Sequence, residues 1–317
     1  MKTSGITEGA IFCAITVILS LLTFYLPFFV ILTFFIPVPM IILGKRQGFK
    51  VSMLSSLAAT LLLGLLIGPV AAIQLGMLLL IVGCCLGLAY AKNLSPVQKT
   101  ILGSIGFAIF IVANILFYQL LTGINYISWM VEMLESSSQD LLQFYQSMGV
   151  LDASQLQSME TGVENNLQMM LLTIPAAFLL MPVLLAMANI YCVDVILKRL
   201  GYAVKGYRPL SELIMPQHLK VFLMLLLLGV FMVNMLKLTA IPQIYTTTVS
   251  TLVDFVFFIM GVACVYNYLA YKQVKNKGIK VLTAFICLFL QPLITFLGIA
   301  DTYLDIRGIF RRETEIK

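Results

Sequence analysis

Charged residues are scarce in this chain of 317 residues. They make up 11% of the sequence, whereas hydrophobic residues make up 61%. Soluble globular domains carry charge on about a quarter of their residues, so this chain has too little charge to cover a water-facing surface. Apolar runs such as 51–67, 71–91 and 221–236 are close to the roughly 20 residues with which a helix crosses a bilayer. Because the sequence also lacks the alternating pattern of barrel strands, we predict membrane-spanning helices.

Histidine is nearly absent, and the common catalytic motifs are missing. His218 is the one histidine, which excludes HExxH metalloprotease sites and multi-histidine metal centres, and we interpret it as structural. The sequence contains neither a GxxxxGK[ST] phosphate loop nor a GxSxG nucleophile elbow. The six cysteines lie inside apolar runs without zinc-type spacing and are interpreted as packing residues. We therefore expect no enzyme activity, no metal and no cofactor.

Basic residues occur in short clusters between the apolar runs, not in one patch, so the net charge of +6 indicates no nucleic-acid partner. The clusters follow each even-numbered predicted span, and 100–197 contains no Lys or Arg. Basic loops of membrane proteins stay in the cytoplasm. We therefore predict a multi-pass protein of the cell membrane with a cytoplasmic N-terminus. Its first span is too long for a signal peptide and is expected to be retained.

Eight spans are predicted, with a ninth left open. Pro27 divides the long first run, 10–43, into two helices because proline breaks the helical hydrogen-bond ladder. The last run, 281–300, either crosses fully or dips in and returns by breaking at Gln291-Pro292, which keeps the basic tail cytoplasmic. The fold class is an all-α polytopic transmembrane helical bundle. The remaining spans are 49–67, 70–90, 100–121, 168–197, 220–236 and 244–271.

The sequence divides into three regions. Residues 1–121 form a five-helix N-terminal membrane region, and 167–317 form a C-terminal membrane region with basic cytoplasmic loops. Between them, 122–166 is an acidic external segment with apolar residues at helical spacing. This pattern predicts an amphipathic helix, or two short ones, over the outer mouth of the bundle. A loop packed on neighbouring helices is the alternative.

Small residues spaced four apart occur in three predicted spans. Such pairs let helix backbones approach closely in lipid, where van der Waals contact drives association. They serve either packing within this protein or docking of a helix from a second membrane protein. The pairs are Ala10 and Ala14, Gly64 and Gly68, and Gly83 and Gly87.

Polar residues inside the apolar runs are the remaining functional signal. A carboxylate at Asp254 is costly in lipid and is expected to face the bundle or a wet cavity. It either pairs with Lys237 or helps to line a pocket that is open to the exterior. Asp194 lies four residues before Lys198, which indicates a salt bridge at a helix end. The candidate pocket residues are Asp254, Lys237, Asn234, Asn114, Gln119, Gln74 and Trp129.

Two stretches carry a family resemblance. Residues 7–14 read TEGAIFCA, and residues 297–307 read LGIADTYLDIR. With the span layout, they resemble the YybS-like family of uncharacterised bacterial membrane proteins over nearly the whole chain. The N-terminal part of that family is similar to the substrate-binding S components of energy-coupling-factor vitamin transporters. In those proteins a small-residue AxxxA motif on the first helix docks the coupling subunit, and Ala10 and Ala14 match it in spacing and place.

Two functions are consistent with these patterns. The first is a solute-binding or transport subunit that captures a small molecule from outside, while partner subunits supply energy. The second is a non-catalytic scaffold or assembly protein of the cell envelope that acts through protein contacts. The lipid bilayer is the expected surroundings in both cases, with a coupling subunit or an envelope complex as partner and a ligand of unknown identity.

Overall fold

The computed structural model describes residues 3–148, 153–236, 241–274 and 276–308. Within these residues the chain is helical and contains eight segments long and apolar enough to cross a membrane, so the predicted polytopic bundle is confirmed. The helices are α1 Thr3–Tyr25, α2 Val38–Gln47, α3 Phe49–Ile67, α4 Pro69–Met77, α5 Gly83–Ala91, α6 Pro96–Thr122, α7 Tyr126–Met148, α8 Ala153–Arg199, α9 Gln217–Met235, α10 Gln243–Tyr271, α11 Lys277–Phe289 and α12 Gln291–Leu304.

Two of the spans combine several helical forms. The second span begins as a 3-10 helix, Pro27–Phe35, and continues as α2, so the predicted break at Pro27 is confirmed. The fourth span joins α4 and α5 through a π-helical turn at Leu78–Val82. Gly68 links α3 to α4 with φ +90°, a backbone conformation that L side chains rarely adopt.

The contacts divide the chain into two compact units. The first comprises Met1–Leu167 and Phe178–Gly206, and the second comprises Gln168–Ala177 and Tyr207–Lys317. Most of the sixth span therefore packs with the N-terminal helices, although the sequence assigns it to the C-terminal region. The helix α8 that contains this span continues through both of its prolines.

The core of the first unit is built around α2. Met40, Ile41 and Leu43 are fully buried there. A Cβ on Gly44 would lie 2.9 Å from the Cα of Gly87, so the backbones of α2 and α5 nearly touch. Buried polar groups are satisfied by nearby carbonyls, as where the Ser52 hydroxyl donates to the Met40 carbonyl at 2.7 Å.

The second unit depends on one close helix pair. A Cβ on Gly261 of α10 would collide with the carbonyl oxygen of Ile294 in α12, and one on Gly298 would collide with that of Phe257. Glycine at both positions therefore lets α10 and α12 cross with their backbones in contact. In α9, by contrast, Leu223 is the one residue that is buried.

The last apolar run is broken into two short helices, and whether it crosses the membrane or dips in and returns stays a prediction. α11 and α12 meet at 100°, and each is only about 20 Å long, shorter than the hydrocarbon core of roughly 30 Å. The break falls at Leu290, beside the predicted Gln291-Pro292. The Arg307 guanidinium donates to the Leu213 carbonyl at 2.6 Å, and the Tyr303 hydroxyl donates to the Lys220 carbonyl at 2.9 Å. The end of α12 thus lies beside the segment that enters α9.

The acidic segment after α6 is helical, as predicted. α7 covers Tyr126–Met148, and none of its residues is buried. Its apolar side chains remain largely open, including Leu141, 46% exposed, and Phe144, 58% exposed. The alternative of a loop packed on neighbouring helices is therefore wrong for this part of 122–166. That the segment lies outside the membrane stays a prediction.

Candidate functional site

A cavity of 240 Å³ lies in the first unit where α1, α4 and α6 meet the 3-10 helix. It is near the C-terminal ends of α1 and α6 and the N-terminal end of α4, which is the side that the basic clusters predict to be external. Its walls are mostly apolar, with four polar side chains among them. The lining residues are Thr23, Phe24, Thr33, Ala71, Gln74, Leu75, Leu78, Phe110 and Asn114.

Local sequence signals position each polar wall residue. Thr23 lies on the last turn of α1, and Pro27 then redirects the chain into the 3-10 helix that carries Thr33. This 3-10 helix is tied to α8, because the side-chain amide of Asn189 donates to the Phe34 carbonyl at 2.9 Å. The turn at Gly68 starts α4 so that Gln74 reaches the cavity in the second helical turn. Asn114 faces it from α6.

The cavity is chemically suited to a small uncharged ligand. Gln74 and Asn114 each offer an amide with both a donor and an acceptor group. Among the residues that the structure describes, neither side-chain amide has a hydrogen-bond partner. The Thr23 hydroxyl already donates to the Ser20 carbonyl at 2.9 Å, which leaves its oxygen as an acceptor. An apolar wall with a few polar contacts is the usual composition of a small-molecule site.

The structure brings two of the predicted pocket residues together, Gln74 and Asn114. Gln119 is exposed on α6 and does not line the cavity. Trp129 packs against Tyr118 at 5.4 Å and Tyr126 at 5.6 Å between ring centroids, in an aromatic cluster where α6 passes into α7. Such clusters are typical of the membrane–water interface. The placement of Gln119 and Trp129 in this pocket is therefore wrong.

The other predicted pocket residues belong to the second unit. Asn234 is exposed on α9, and Lys237 lies outside the described residues. Asp254 is exposed, contrary to the expectation that it faces the bundle, because the buried face of α10 is set by its neighbour Val253 and by Phe257. A pair between Asp254 and Lys237 stays a prediction.

The glycine pairs pack within the first unit. Gly83 and Gly87 are buried in α5, where Gly83 faces Met40 of α2. They are therefore closed to a partner helix. Gly64 lies near Ala72, and Gly68 makes the turn between α3 and α4.

Ala10 and Ala14 remain open, in contrast to the glycines. Both are exposed on α1. They line a shallow groove of 420 Å³ between α1 and α3, whose floor contains the buried residues Gly5, Gly9 and Cys13. Small side chains on both helices make this groove deep enough to admit side chains of another helix. The full lining is Gly5, Ile6, Gly9, Ala10, Cys13, Ala14, Val51, Leu54, Ser55, Ala58 and Leu62.

Sequence reasoning missed two kinds of residue. Thr23 and Thr33 flank the break at Pro27, and that position beside a predicted helix break is the signal that could have identified them. Asp194 was assigned to Lys198 by its helical spacing, but the structure pairs it with Lys99, whose ammonium lies 3.5 Å from the carboxylate. Lys99 lies two helices earlier, on α6, so spacing along the chain could not indicate the contact.

Comparison with known proteins identifies the family. The family model described as "Predicted membrane protein (DUF2232)" matches residues 14–302. The chain is also similar to the uncharacterized protein YybS of Bacillus subtilis strain 168, with 24% identity over 97% of this chain and 98% of that protein. No solved structure matches. The resemblance read from the two terminal stretches is thereby confirmed, and the similarity to vitamin-transporter S components stays a prediction.

Proposed function

We propose that this chain, which belongs to the DUF2232 family of predicted membrane proteins, is a solute-binding subunit of a transporter in the cell membrane. The protein sits in the lipid bilayer as a multi-pass helical bundle. In this proposal its N-terminus is cytoplasmic and its 240 Å³ cavity opens toward the exterior. It has no catalytic role of its own.

One observation carries the proposal: the side-chain amides of Gln74 and Asn114 both line a mostly apolar cavity. Apolar surface on a ligand would be removed from water, and the amides would select for its polar groups. A neutral solute fits best, because no lining residue carries charge. The cavity volume, 240 Å³, holds a ligand smaller than a typical drug.

The groove at Ala10 and Ala14 supports a second part of the proposal. Transport needs energy, and the sequence has no phosphate loop with which to hydrolyse a nucleotide. We propose that a transmembrane helix of a coupling subunit packs in this groove. Both alanines are exposed within a segment long enough to span the membrane, so a partner helix can reach them.

Ligand binding is tested with purified protein and a panel of uncharged vitamins and nutrients. Native mass spectrometry detects a co-purified ligand, and thermal unfolding detects stabilisation. Replacing Gln74 or Asn114 with Leu should weaken binding about fivefold, since each substitution removes a hydrogen bond worth about 1 kcal/mol. Gln119→Leu is the matched control, an exposed amide on α6 outside the cavity. Binding that is absent, or that falls equally in all three variants, would refute the pocket.

Partner docking is tested by crosslinked pull-down from native membranes. Ala14→Leu places a larger side chain in the groove and should abolish co-purification of a coupling subunit. Ala177→Leu is the control, because Ala177 is exposed on α8 away from the groove. An unchanged complex in Ala14→Leu would remove this part of the proposal and leave the ligand site standing.

A scaffold in an envelope complex is the second candidate, and the exposed apolar side of α7 favours it. Leu141 and Phe144 stay exposed in the described part of the chain. In a scaffold, Leu141→Glu with Phe144→Glu should release protein partners that are not ATPases. In a solute-binding subunit, the same double variant should leave ligand affinity unchanged.

A further inference from the structure

A second cavity, of 370 Å³, lies in the first unit at the other end of α6. Lys99 begins this helix and Asn114 lies about 22 Å further along its axis. The cavity is therefore separate from the one that contains Gln74. Its lining includes three lysines and no acidic side chain, and consists of Lys45, Tyr90, Asn93, Leu94, Lys99, Ala203, Val204 and Lys205.

The floor of this cavity is a buried ion pair between α6 and α8. The Lys99 ammonium lies 3.5 Å from Oδ1 of Asp194, and the two side chains are only 2% and 7% exposed. The Tyr90 hydroxyl from α5 donates to the same carboxylate oxygen at 2.5 Å. The ammonium also lies 4.1 Å from the centre of the Tyr90 ring and donates to the Lys205 carbonyl at 3.3 Å. Three groups thus contact the cation directly, and the Tyr90 hydroxyl positions the carboxylate.

This burial distinguishes Lys99 from a lysine that only marks membrane topology. A topology signal keeps its ammonium in water, and a long side chain at a helix end reaches outward to do so. Lys99 is held inside instead, where loss of hydration is costly and must be offset by fixed partners. Its ammonium has three N–H donors, of which Asp194 and the Lys205 carbonyl engage two. The Lys99 side chain also belongs to the lining of the cavity, so its charge attracts an anion bound there.

The rim of the cavity adds further positive charge. Lys45, at the end of α2, is half-buried and donates to the side-chain carbonyl of Asn93. Lys205 is exposed in the segment that follows α8. Asp194, which does not line the cavity, neutralises the ammonium of Lys99, one of the three lining lysines. Two positive charges are left without a carboxylate partner among the described residues.

We propose that this cavity binds a phosphate monoester. A dianion matches the two uncompensated charges of Lys45 and Lys205, and its several oxygens can accept from the two ammonium groups at the rim. The volume is within the range of small-molecule sites and exceeds what one phosphate group fills, so the ester's organic part also enters. The same chemistry is offered by the headgroup of an anionic membrane lipid or by a soluble phosphate ester.

The experiment compares the two sources directly. The full chain is placed in nanodiscs of phosphatidylcholine and titrated with inorganic phosphate and with glycerol 3-phosphate, with glycerol as the neutral control. In the other arm, native mass spectrometry follows retention of phosphatidic acid from nanodiscs that contain it. Binding in the first arm identifies a soluble ester as the source, and retention in the second arm alone identifies a lipid headgroup.

Matched variants decide whether this cavity is the site. Lys45→Gln with Lys205→Gln removes both rim charges and should weaken binding at least about tenfold, because two charge-assisted hydrogen bonds are lost. Lys50→Gln with Lys92→Gln makes the same change in net charge at exposed positions outside the cavity and should alter binding less than about twofold. Lys205→Gln alone serves if the first double variant does not purify.

The inference is overturned by either of two results. One is that neither the soluble esters nor phosphatidic acid binds above its neutral control. The other is that the two double variants weaken binding equally, which would assign the effect to the general positive charge of this end. Both results leave the cavity at Gln74 and Asn114 untouched, so the two ligand sites are tested independently.

Discussion

Among the residues that the structure describes, each unit contains one buried pair of opposite charges, and the two pairs differ in construction. In the first unit, Lys99 and Asp194 come from helices far apart in the sequence and border a cavity of 370 Å³. In the second unit, Asp301 and Arg307 are six residues apart and their shortest contact is 2.6 Å. The cavity beside them holds only 60 Å³. The local pair closes the end of α12, whereas the long-range pair borders a cavity whose lining contains two further lysines.

This difference indicates which buried charges of the protein are candidates for binding a ligand. Buried charge that is fully enclosed by partners serves the fold, and buried charge that borders free volume is available for binding. The first unit has polar groups at cavities on both ends. The second unit instead uses glycine contacts between α10 and α12 and leaves α9 largely exposed to lipid or a partner.

Breaking the long-range pair should give the largest effect. Asp194→Leu leaves the Lys99 ammonium buried without its counter-charge, so we expect a loss of about 3–5 kcal/mol in stability. Replacing both residues, with Lys99→Met and Asp194→Leu, should recover most of that loss because no buried charge remains. Thermal unfolding of the detergent-purified protein measures both. Asp254→Leu is the control, an exposed carboxylate whose loss should change stability little. Equal effects of Asp194→Leu and Asp254→Leu would contradict the buried pair.

Crowding the helix crossing in the second unit should have the next largest effect. Gly298→Ala adds a methyl group where the Phe257 carbonyl already lies, and we expect a loss of about 1–3 kcal/mol or more. Gly229→Ala in α9 is the matched control, since open space surrounds that position. It should be neutral or slightly stabilising. The melting temperatures of the two variants give the comparison, and similar values would show that α10 and α12 do not touch.

Single-cysteine labelling should have the smallest effect on the protein. It tests on which side of the membrane the end of α12 lies. In a background without native cysteines, Ser211→Cys and Gly308→Cys should react with a membrane-impermeant reagent from the same side. Ile241→Cys, between α9 and α10, should react from the opposite side. If Gly308→Cys instead labels together with Ile241→Cys, the last run crosses the membrane fully.

The sequence predicts the helices well because lipid leaves few alternatives to them. The bounds 49–67 predicted for the third span agree with α3, and the break at Pro27 follows from its missing N–H. Local chemistry also anticipated Gln74 and Asn114 as polar groups on neighbouring spans. Such agreement concerns single helices and the residues within them.

Contacts between distant helices could not be read in the same way. Helical spacing assigned Asp194 to Lys198, yet packing of α6 against α8 brings Lys99 to the carboxylate. The exposure of Asp254 depends on which stretch of α10 is covered by α12, and the close contact lies further along the helix, at Phe257 and Gly261. The Lys99–Asp194 contact and the exposure of Asp254 both depend on how helices distant in the sequence pack together. A single sequence does not give that packing directly.

The π-helical turn at Leu78–Val82 has a consequence for how the family can diversify. Such a turn holds one residue more than an α-helix would in the same length, so it sets the rotation of α4 independently of α5. Losing that residue would swing Gln74 by about 100° around the helix axis, while Gly83 and Gly87 stay seated on α2. The gain or loss of one residue at this point would therefore change which side chains of α4 line the 240 Å³ cavity without disturbing the contacts of α5.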